Sequence, residues 1–208
     1  MKIKNFLVVL TCLLFTGVGQ LWSQEMKRNH SALLVMDMQE PILGDIDKNV
    51  VASIAKAIRF ARSQGIAVIY VKAVLRKGAP EISDNNKFFS ARRAFLEKVD
   101  PEKWVKTPEE IAPEPGDLII EKRRFSSFEG TDLDMILRSK GYSELIMCGV
   151  MTSGVVLSTV RDAADKDYSI VVISDGCGDP DKETNEFLMK KIFPLQSTVV
   201  SVAQWTKM

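Results

Sequence analysis

The sequence predicts an α/β fold: a single domain built on a six-stranded parallel sheet with helices on both faces. Short apolar runs alternate along the chain with segments of helical period, the signature of strands joined by crossover helices. The runs at Ala32–Met36 and Leu145–Gly149 are apolar throughout rather than alternating, as strands buried on both faces are. No internal repeat or low-complexity segment interrupts the pattern. The roughly 185 residues beyond the amino-terminal leader are enough for one sizeable core.

Ala32–Met36 is the first strand. Asp47 caps a helix whose apolar stripe is Val51, Ile54, Ala55, Ile58 and Ala61, and Gly65 closes it. Ile66–Val71 is the second strand. Residues 75–116 are polar and punctuated by Pro80, Pro101, Pro108, Pro113 and Pro115, which leaves room for little beyond a short helix near Ser90–Lys98. Connections of this length are usually functional lids or packing arms. Asp117–Glu121 is the third strand, and Thr131 caps a helix that ends at Gly141. Leu145–Gly149 is the fourth strand, and the helix after it presents Val156, Thr159, Val160, Ala163 and Ala164 on one face. Ser169–Ser174 is the fifth strand. Asp179 as N-cap and Pro180 as first residue start a further helix, and Thr198–Val202 is the sixth strand.

The first 23 residues differ in character. Lys2 and Lys4 give a basic start, Phe6–Val18 is an apolar run too short for a comfortable membrane span, and Ser23 offers a cleavage point. The segment reads as a secretory signal peptide, with an uncleaved anchor as the competing reading. The chain is therefore expected to be exported, periplasmic or secreted, with no stable membrane span after cleavage. Cys12 lies inside the apolar run rather than after it, which argues against lipidation. Without Lys2 and Lys4, 26 basic residues face 27 acidic ones, so the basic excess that nucleic-acid binding needs is missing. Cys148 and Cys177 are too few for a disulfide framework, although a single bond between them stays open.

Three segments can carry chemistry. L-I-M-C-G-V-M-T-S-G-V-V-L-S-T at Leu145–Thr159 reads as a buried strand, a tight turn and the start of a helix. Backbone N–H groups at such a junction face the cleft and favour negative charge there. Asp37 ends the first strand in L-L-V-M-D-M-Q, and Lys122 ends the third in E-K-R-R-F-S-S-F-E-G-T-D-L. All three fall at carboxyl ends of strands, the edge where open α/β sheets bind ligands. Residue type alone leaves blander roles open: a turn-capping carboxylate at Asp37, a solvated basic cluster at Lys122, helix-capping hydroxyls at Thr152 and Ser153. Strand alternation would turn Lys122 and Arg124 to one side and Arg123 to the other.

These segments, with R-D-A-A-D-K-D-Y at Arg161–Tyr168 and D-P-D-K-E-T-N-E-F-L at Asp179–Leu188, resemble the isochorismatase-like hydrolase superfamily over nearly everything from residue 31 onward. The resemblance implies a three-layer, Rossmann-like domain over residues 31–205, a small-molecule substrate, no cofactor, and self-association into dimers or tetramers. Its cysteine hydrolases carry a G-V-x-T-x-x-C-V-type loop whose cysteine opens the helix. The matching position here is Val155, which cannot be deprotonated and cannot attack a carbonyl. Asp37 matches the aspartate that serves those enzymes as general base, and Lys122 matches their lysine. Val150, Met151, Thr152, Ser153 and Gly154 match the backbone oxyanion loop, with Val150–Met151 at the place of a non-proline cis peptide. Gln39 and Arg124 are candidate substrate contacts. The metal site of the nicotinamidase branch needs two histidines, and His30 is the only one.

Three functions follow from this set. The first is a hydrolase without a covalent intermediate, using Asp37, Lys122 and the oxyanion loop. Isochorismatases are the analogy: they cleave a vinyl ether, keep the aspartate and lysine, and carry glycine where Val155 stands. The second is a non-catalytic small-molecule binder on the same scaffold. The third is a cysteine hydrolase with a displaced thiol, Cys177 in S-D-G-C-G-D-P-D.

Overall fold

The computed structural model describes residues 30–44 and 46–208. The leader expected over 1–23 lies outside them. Six strands form one parallel sheet in the order β3-β2-β1-β4-β5-β6: β1 Ser31–Met36, β2 Ala67–Ala73, β3 Leu118–Lys122, β4 Glu144–Val150, β5 Ser169–Gly178 and β6 Thr198–Val200. The chain adds β2 and β3 on one side of β1 and then returns to add β4 on the other. The order of strand addition therefore reverses between β1 and β4, the switch point at whose carboxyl ends such sheets form a crevice.

Side chains alternate across the sheet and build two cores. Ala32, Leu34, Met36, Leu145, Met147, Ile170 and Val172 face one side, under Leu133, Leu137, Val156, Val160 and Ala163. Leu33, Val35, Ile146, Cys148, Val171 and Ile173 face the other, under Ile54, Ala57, Ile58, Ala61 and Trp205. With both faces covered, the strands have no use for polar alternation, which explains their apolar runs. The three-layer, parallel α/β expectation is met.

The helices are α1 Glu40–Leu43, α2 Lys48–Ser63, α3 Lys87–Ser90, α4 Arg93–Leu96, α5 Pro101–Trp104, α6 Leu133–Ser139, α7 Leu157–Asp165, α8 Lys182–Phe187 and α9 Val202–Trp205. Asp47 caps α2 as expected, its side chain accepting from the Asn49 N–H. Several boundaries differ from the sequence reading. The single helix near Ser90–Lys98 is instead three one-turn helices, α3 to α5, because two of them stop after one turn and Pro101 starts the third. Asp132 rather than Thr131 occupies the N-cap of α6, although Thr131 Oγ1 still accepts from the Leu133 N–H at 3.3 Å. The cap of α8 is Asp181, whose carboxylate takes the Glu183 and Thr184 N–H groups, while Asp179 is engaged elsewhere. The fifth strand runs on to Gly178 through a register shift opposite Cys148. The sixth ends at Val200, because Ser201 and Gln204 form a capping box that starts α9.

Gly149 shows why β4 can lie so close to β1. Its φ is +144°, and a Cβ there would meet the Met36 carbonyl oxygen at 2.1 Å. Only glycine permits both.

Candidate active site

The structure brings Asp37 and Lys122 together at the carboxyl edge of the sheet. Lys122 Nζ lies 2.7 Å from Asp37 Oδ2 and donates to the Arg124 carbonyl at 3.0 Å. Both residues are buried, 7% and 3% exposed. Asp37 sits at φ +54°, in the left-handed region that a short polar side chain tolerates, and its N–H donates to the Val71 carbonyl at 2.9 Å. Its second oxygen, Oδ1, is buried and has no hydrogen-bond partner. Burial pushes the Asp37 carboxyl above the usual carboxylate range, and the Lys122 ammonium opposes that rise without cancelling it.

A cavity of about 280 Å3 opens onto this pair. Asp37, Lys122, Val150, Met151, Gly154 and Val155 contribute from the strand ends and the loop after β4. A second wall comes from the long connection, with Phe88, Phe89, Phe95, Leu96 and Trp104, and Phe125 closes the side. Phe88, Phe89 and Phe125 pack on one another with centroid separations of 4.7 to 5.3 Å. This aromatic wall was not read from the sequence as part of the site. Its signal was the Phe88–Phe89 pair in an otherwise polar connection and Phe125 just after K-R-R.

The wall is fastened to the sheet through Gln39. This side chain is completely buried. Its Oε1 accepts the Ala73 N–H at 2.7 Å, and its Nε2 donates to the Ala73 carbonyl at 3.0 Å and to the Trp104 carbonyl at 2.8 Å. Trp104 Nε1 donates to the Ala73 carbonyl at 2.7 Å, and Lys72 Nζ to the Val105 carbonyl at 2.9 Å. Gln39, expected as a substrate contact, thus has its amide committed to backbone and does not line the cavity.

The loop after β4 has the cis peptide that the resemblance implies but departs from expectation in its hydrogen bonds. The Val150–Met151 peptide is cis, and a π-helical turn over Thr152–Val156 leads into α7. Ser153 donates both its N–H, at 2.8 Å, and its hydroxyl, at 2.7 Å, to Asp179 Oδ2. The Gly154 and Val156 N–H groups donate to the Met151 carbonyl at 3.1 and 3.3 Å. The N–H groups of Ser153 and Gly154, expected as oxyanion donors, are therefore already engaged. Thr152 and Ser153 do not act as helix caps: Thr152 Oγ1 donates to Asn185 Oδ1 at 2.7 Å. Val155 lines the cavity while packing into the core on its other side, and is 2% exposed.

The arginines after β3 all reach the cavity, so the expected alternation stops where the strand ends, at Lys122. Arg123 pairs with Glu81 at 3.3 Å and Glu121 at 3.2 Å. Arg124 donates to the carbonyls of Arg123 and Glu81, at 2.7 and 3.1 Å.

The thiols are placed away from this chemistry. Cys148 and Cys177 are free, buried and on opposite faces of the sheet, so the bond left open between them does not form. Burial raises both thiols, Cys177 to about 12, which leaves it protonated at neutral pH and unfit as the displaced nucleophile. His30 is exposed at the opposite edge, its Nδ1 2.7 Å from the Gly141 carbonyl oxygen. Among the described residues no group of three or more His, Cys, Asp or Glu side chains could hold a metal ion, and no helix is long and apolar enough to cross a membrane.

Comparison with known proteins agrees with this architecture. The family model for the isochorismatase domain matches residues 31–204. Ureidoacrylate amidohydrolase RutB from Enterobacter sp. (strain 638) is 35% identical over 171 residues, covering 70% of this chain and 74% of that protein. The crystal structure of a cysteine hydrolase from Pseudomonas syringae pv. phaseolicola 1448A superposes with a TM-score of 0.78 at 24% identity, over 86% of this chain and 92% of that one. N-carbamoylsarcosine amidase from Thermoplasma acidophilum superposes with a TM-score of 0.64 at 26% identity, over 83% and 96%. With most of its length matched by the family model and a relative 35% identical over 70% of the chain, this chain belongs to the isochorismatase family of hydrolases.

Proposed function

We propose that the protein hydrolyses a small, largely apolar molecule by proton transfer through Asp37, with no covalent thiol intermediate. The observation that carries this reading is the state of the Asp37 carboxyl. One oxygen is held by Lys122, and the other is buried, unpartnered and at the cavity edge. A carboxyl raised by burial keeps its proton closer to neutral pH, where it can act as a general acid.

Two reaction types make different demands on the loop. Attack on a carbonyl builds negative charge on oxygen and needs free donors. The Ser153 and Gly154 N–H groups are occupied here, which narrows the set of loop donors open to such a charge. Hydrolysis of an enol ether builds positive charge instead. Asp37 would protonate the enol carbon and become a carboxylate. Water would add to the resulting oxocarbenium carbon and return a proton to Asp37, and the hemiacetal would collapse to an alcohol and a carbonyl compound. The carboxylate formed in the first step stabilises the cation, and Lys122 holds it in place. Val155 makes this pocket narrower than glycine would, which points to a slimmer substrate than isochorismate.

RutB is an amidohydrolase by name, so amides belong in the test. The purified protein would be assayed on matched enol ethers, esters and amides, before and after treatment with iodoacetamide. Turnover of the enol ether that survives alkylation supports the reading. Amide turnover lost on alkylation would overturn it. The first 23 residues place the reaction outside the cytoplasm if they act as a leader, and the family resemblance suggests an oligomer.

A further inference from the structure

We propose that Glu81 is a positioning residue for the Asp37–Lys122 pair: it holds the turn after β3 in the shape that aims the Lys122 ammonium at Asp37. The inference deepens the proposed function and rests on it only in taking Asp37 as the group that moves the proton.

Lys122 needs a second anchor. Its ammonium is a point charge on a flexible stem, so contact with one carboxylate oxygen does not fix it. The anchor is the Arg124 carbonyl, which accepts from Nζ at 3.0 Å while Asp37 Oδ2 lies at 2.7 Å. The sheet does not hold that carbonyl. β3 is an edge strand, and its pairing with β2 ends at Lys122. Arg123 and Arg124 therefore take their place from side-chain contacts, and both reach to Glu81. Arg123 Nε lies 3.3 Å from Glu81 Oε1, and Arg124 Nη2 donates to the Glu81 carbonyl at 3.1 Å. Arg124 Nη1 folds back on the Arg123 carbonyl at 2.7 Å, which closes the turn. Phe125, next along, packs on Phe88 and Phe89, an apolar contact that gives the turn no hydrogen-bond direction.

The Glu81 carboxylate is poorly arranged for stability alone. Its side chain is 9% exposed, and its hydrogen bonds fall on one oxygen. Oε1 takes the Arg76 N–H at 3.2 Å and the Arg76 guanidinium at 2.7 Å, besides facing Arg123. Oε2 is buried with no hydrogen-bond partner, and so is Arg123 Nε. The attraction between Glu81 and Arg123 is thus one of charge. Half-satisfied buried groups cost stability and call for another reason to be kept. Here they set one acid against the two arginines that frame the Lys122 anchor. Burial works against the charge on Glu81, but the N–H groups around it and the Arg76 guanidinium hold its carboxyl below the usual range, so it stays ionised at neutral pH.

Charge and position predict opposite shifts of Asp37. Lys122 touches it, and Arg92, Arg123 and Arg124 also line its cavity. Removing the Glu81 charge alone leaves these cations less balanced, which would lower the Asp37 carboxyl. Losing the hold on Lys122 would raise it. Carbon-13 NMR of labelled aspartate on the intact protein reads the difference, with the Asp37 signal assigned by its loss in Asp37→Asn. In Glu81→Gln, which keeps the shape, Asp37 should titrate at higher pH than in the parent and at lower pH than in Lys122→Met. The rise should vanish when Glu81→Gln is made in the Lys122→Met background, because it acts through the lysine. Arg124→Lys keeps the charge but lacks the planar fork that bonds both carbonyls, and should raise Asp37 too. It carries the test alone if Glu81→Gln does not fold. Asp37 unchanged or lowered in Glu81→Gln, a rise that persists without Lys122, or Arg124→Lys at the parent value would each overturn the proposal. None of these measurements needs turnover. Asp37 can shift as expected in a protein that cleaves no enol ether, so the two failures stay distinct.

Discussion

Lys122 Nζ lies 2.7 Å from Asp37 Oδ2 although their strands are not neighbours. β2 stands between them and ends at Ala73, the register partner of Lys122, a residue short enough for the lysine to reach across. The carboxyl is raised by burial and lowered by the lysine, so removing the lysine should raise it further. In Lys122→Met, carbon-13 NMR of labelled aspartate should show Asp37 titrating at higher pH than in the parent protein. A downward or absent shift would mean that the ion pair does not govern this group.

The same shift sets a sign for stability. A carboxyl raised in the folded state binds its proton more tightly there than in the unfolded chain. Its contribution is therefore fullest below the unfolded value of about 4 and is lost as pH rises through the folded value. Asp37→Asn, which cannot ionise, should gain stability relative to the parent as pH increases. Urea unfolding at acid and at neutral pH measures this. A variant that loses ground toward neutral pH would contradict a raised carboxyl.

Gln39 gives a prediction about the cavity wall. Leucine in its place leaves the Ala73 N–H and the Trp104 carbonyl without the partners they have now. Unsatisfied buried groups cost roughly 1–3 kcal/mol each. Gln39→Leu should lower the melting temperature by several degrees and loosen α5, seen as faster amide exchange over Pro101–Trp104. An unchanged melting temperature would mean that the wall is held by other contacts.

Val155→Cys tests how far residue 155, which the family resemblance matches to a nucleophile, is open to the cavity. The two side chains are close in size, and the residue borders the same chamber as Lys122. A thiol beside that cation and at the start of a helical segment should be lowered and reactive. The expected result is alkylation at residue 155 well ahead of Cys148 and Cys177, identified on the labelled peptide. Equal labelling would show that residue 155 is reached only through the core.

Much of this was legible in the sequence, for identifiable reasons. The central strands were visible because burial on both faces makes them apolar throughout, and Asp37 because it ends such a run; Lys122 ends an edge strand whose burial alternates. Helix ends were misplaced where two acids compete for one cap. Asp179 looked like the better choice beside Pro180, yet it serves Ser153, which comes from a distant segment. Gln39 was misassigned for a related reason, since its three partners lie on β2 and α5, up to 65 residues away. The aromatic wall was missed because its rings come from one-turn helices too short to show a period.

The central claim is that Asp37 moves the proton, and the direct measurement is single-turnover hydrolysis of the best enol ether by the parent protein and by Asp37→Asn. Circular dichroism would confirm that the variant is folded. A general acid contributes about a hundred- to ten-thousand-fold, so the variant should be slower by that factor with substrate binding retained. Turnover by Asp37→Asn at the parent rate would contradict the account.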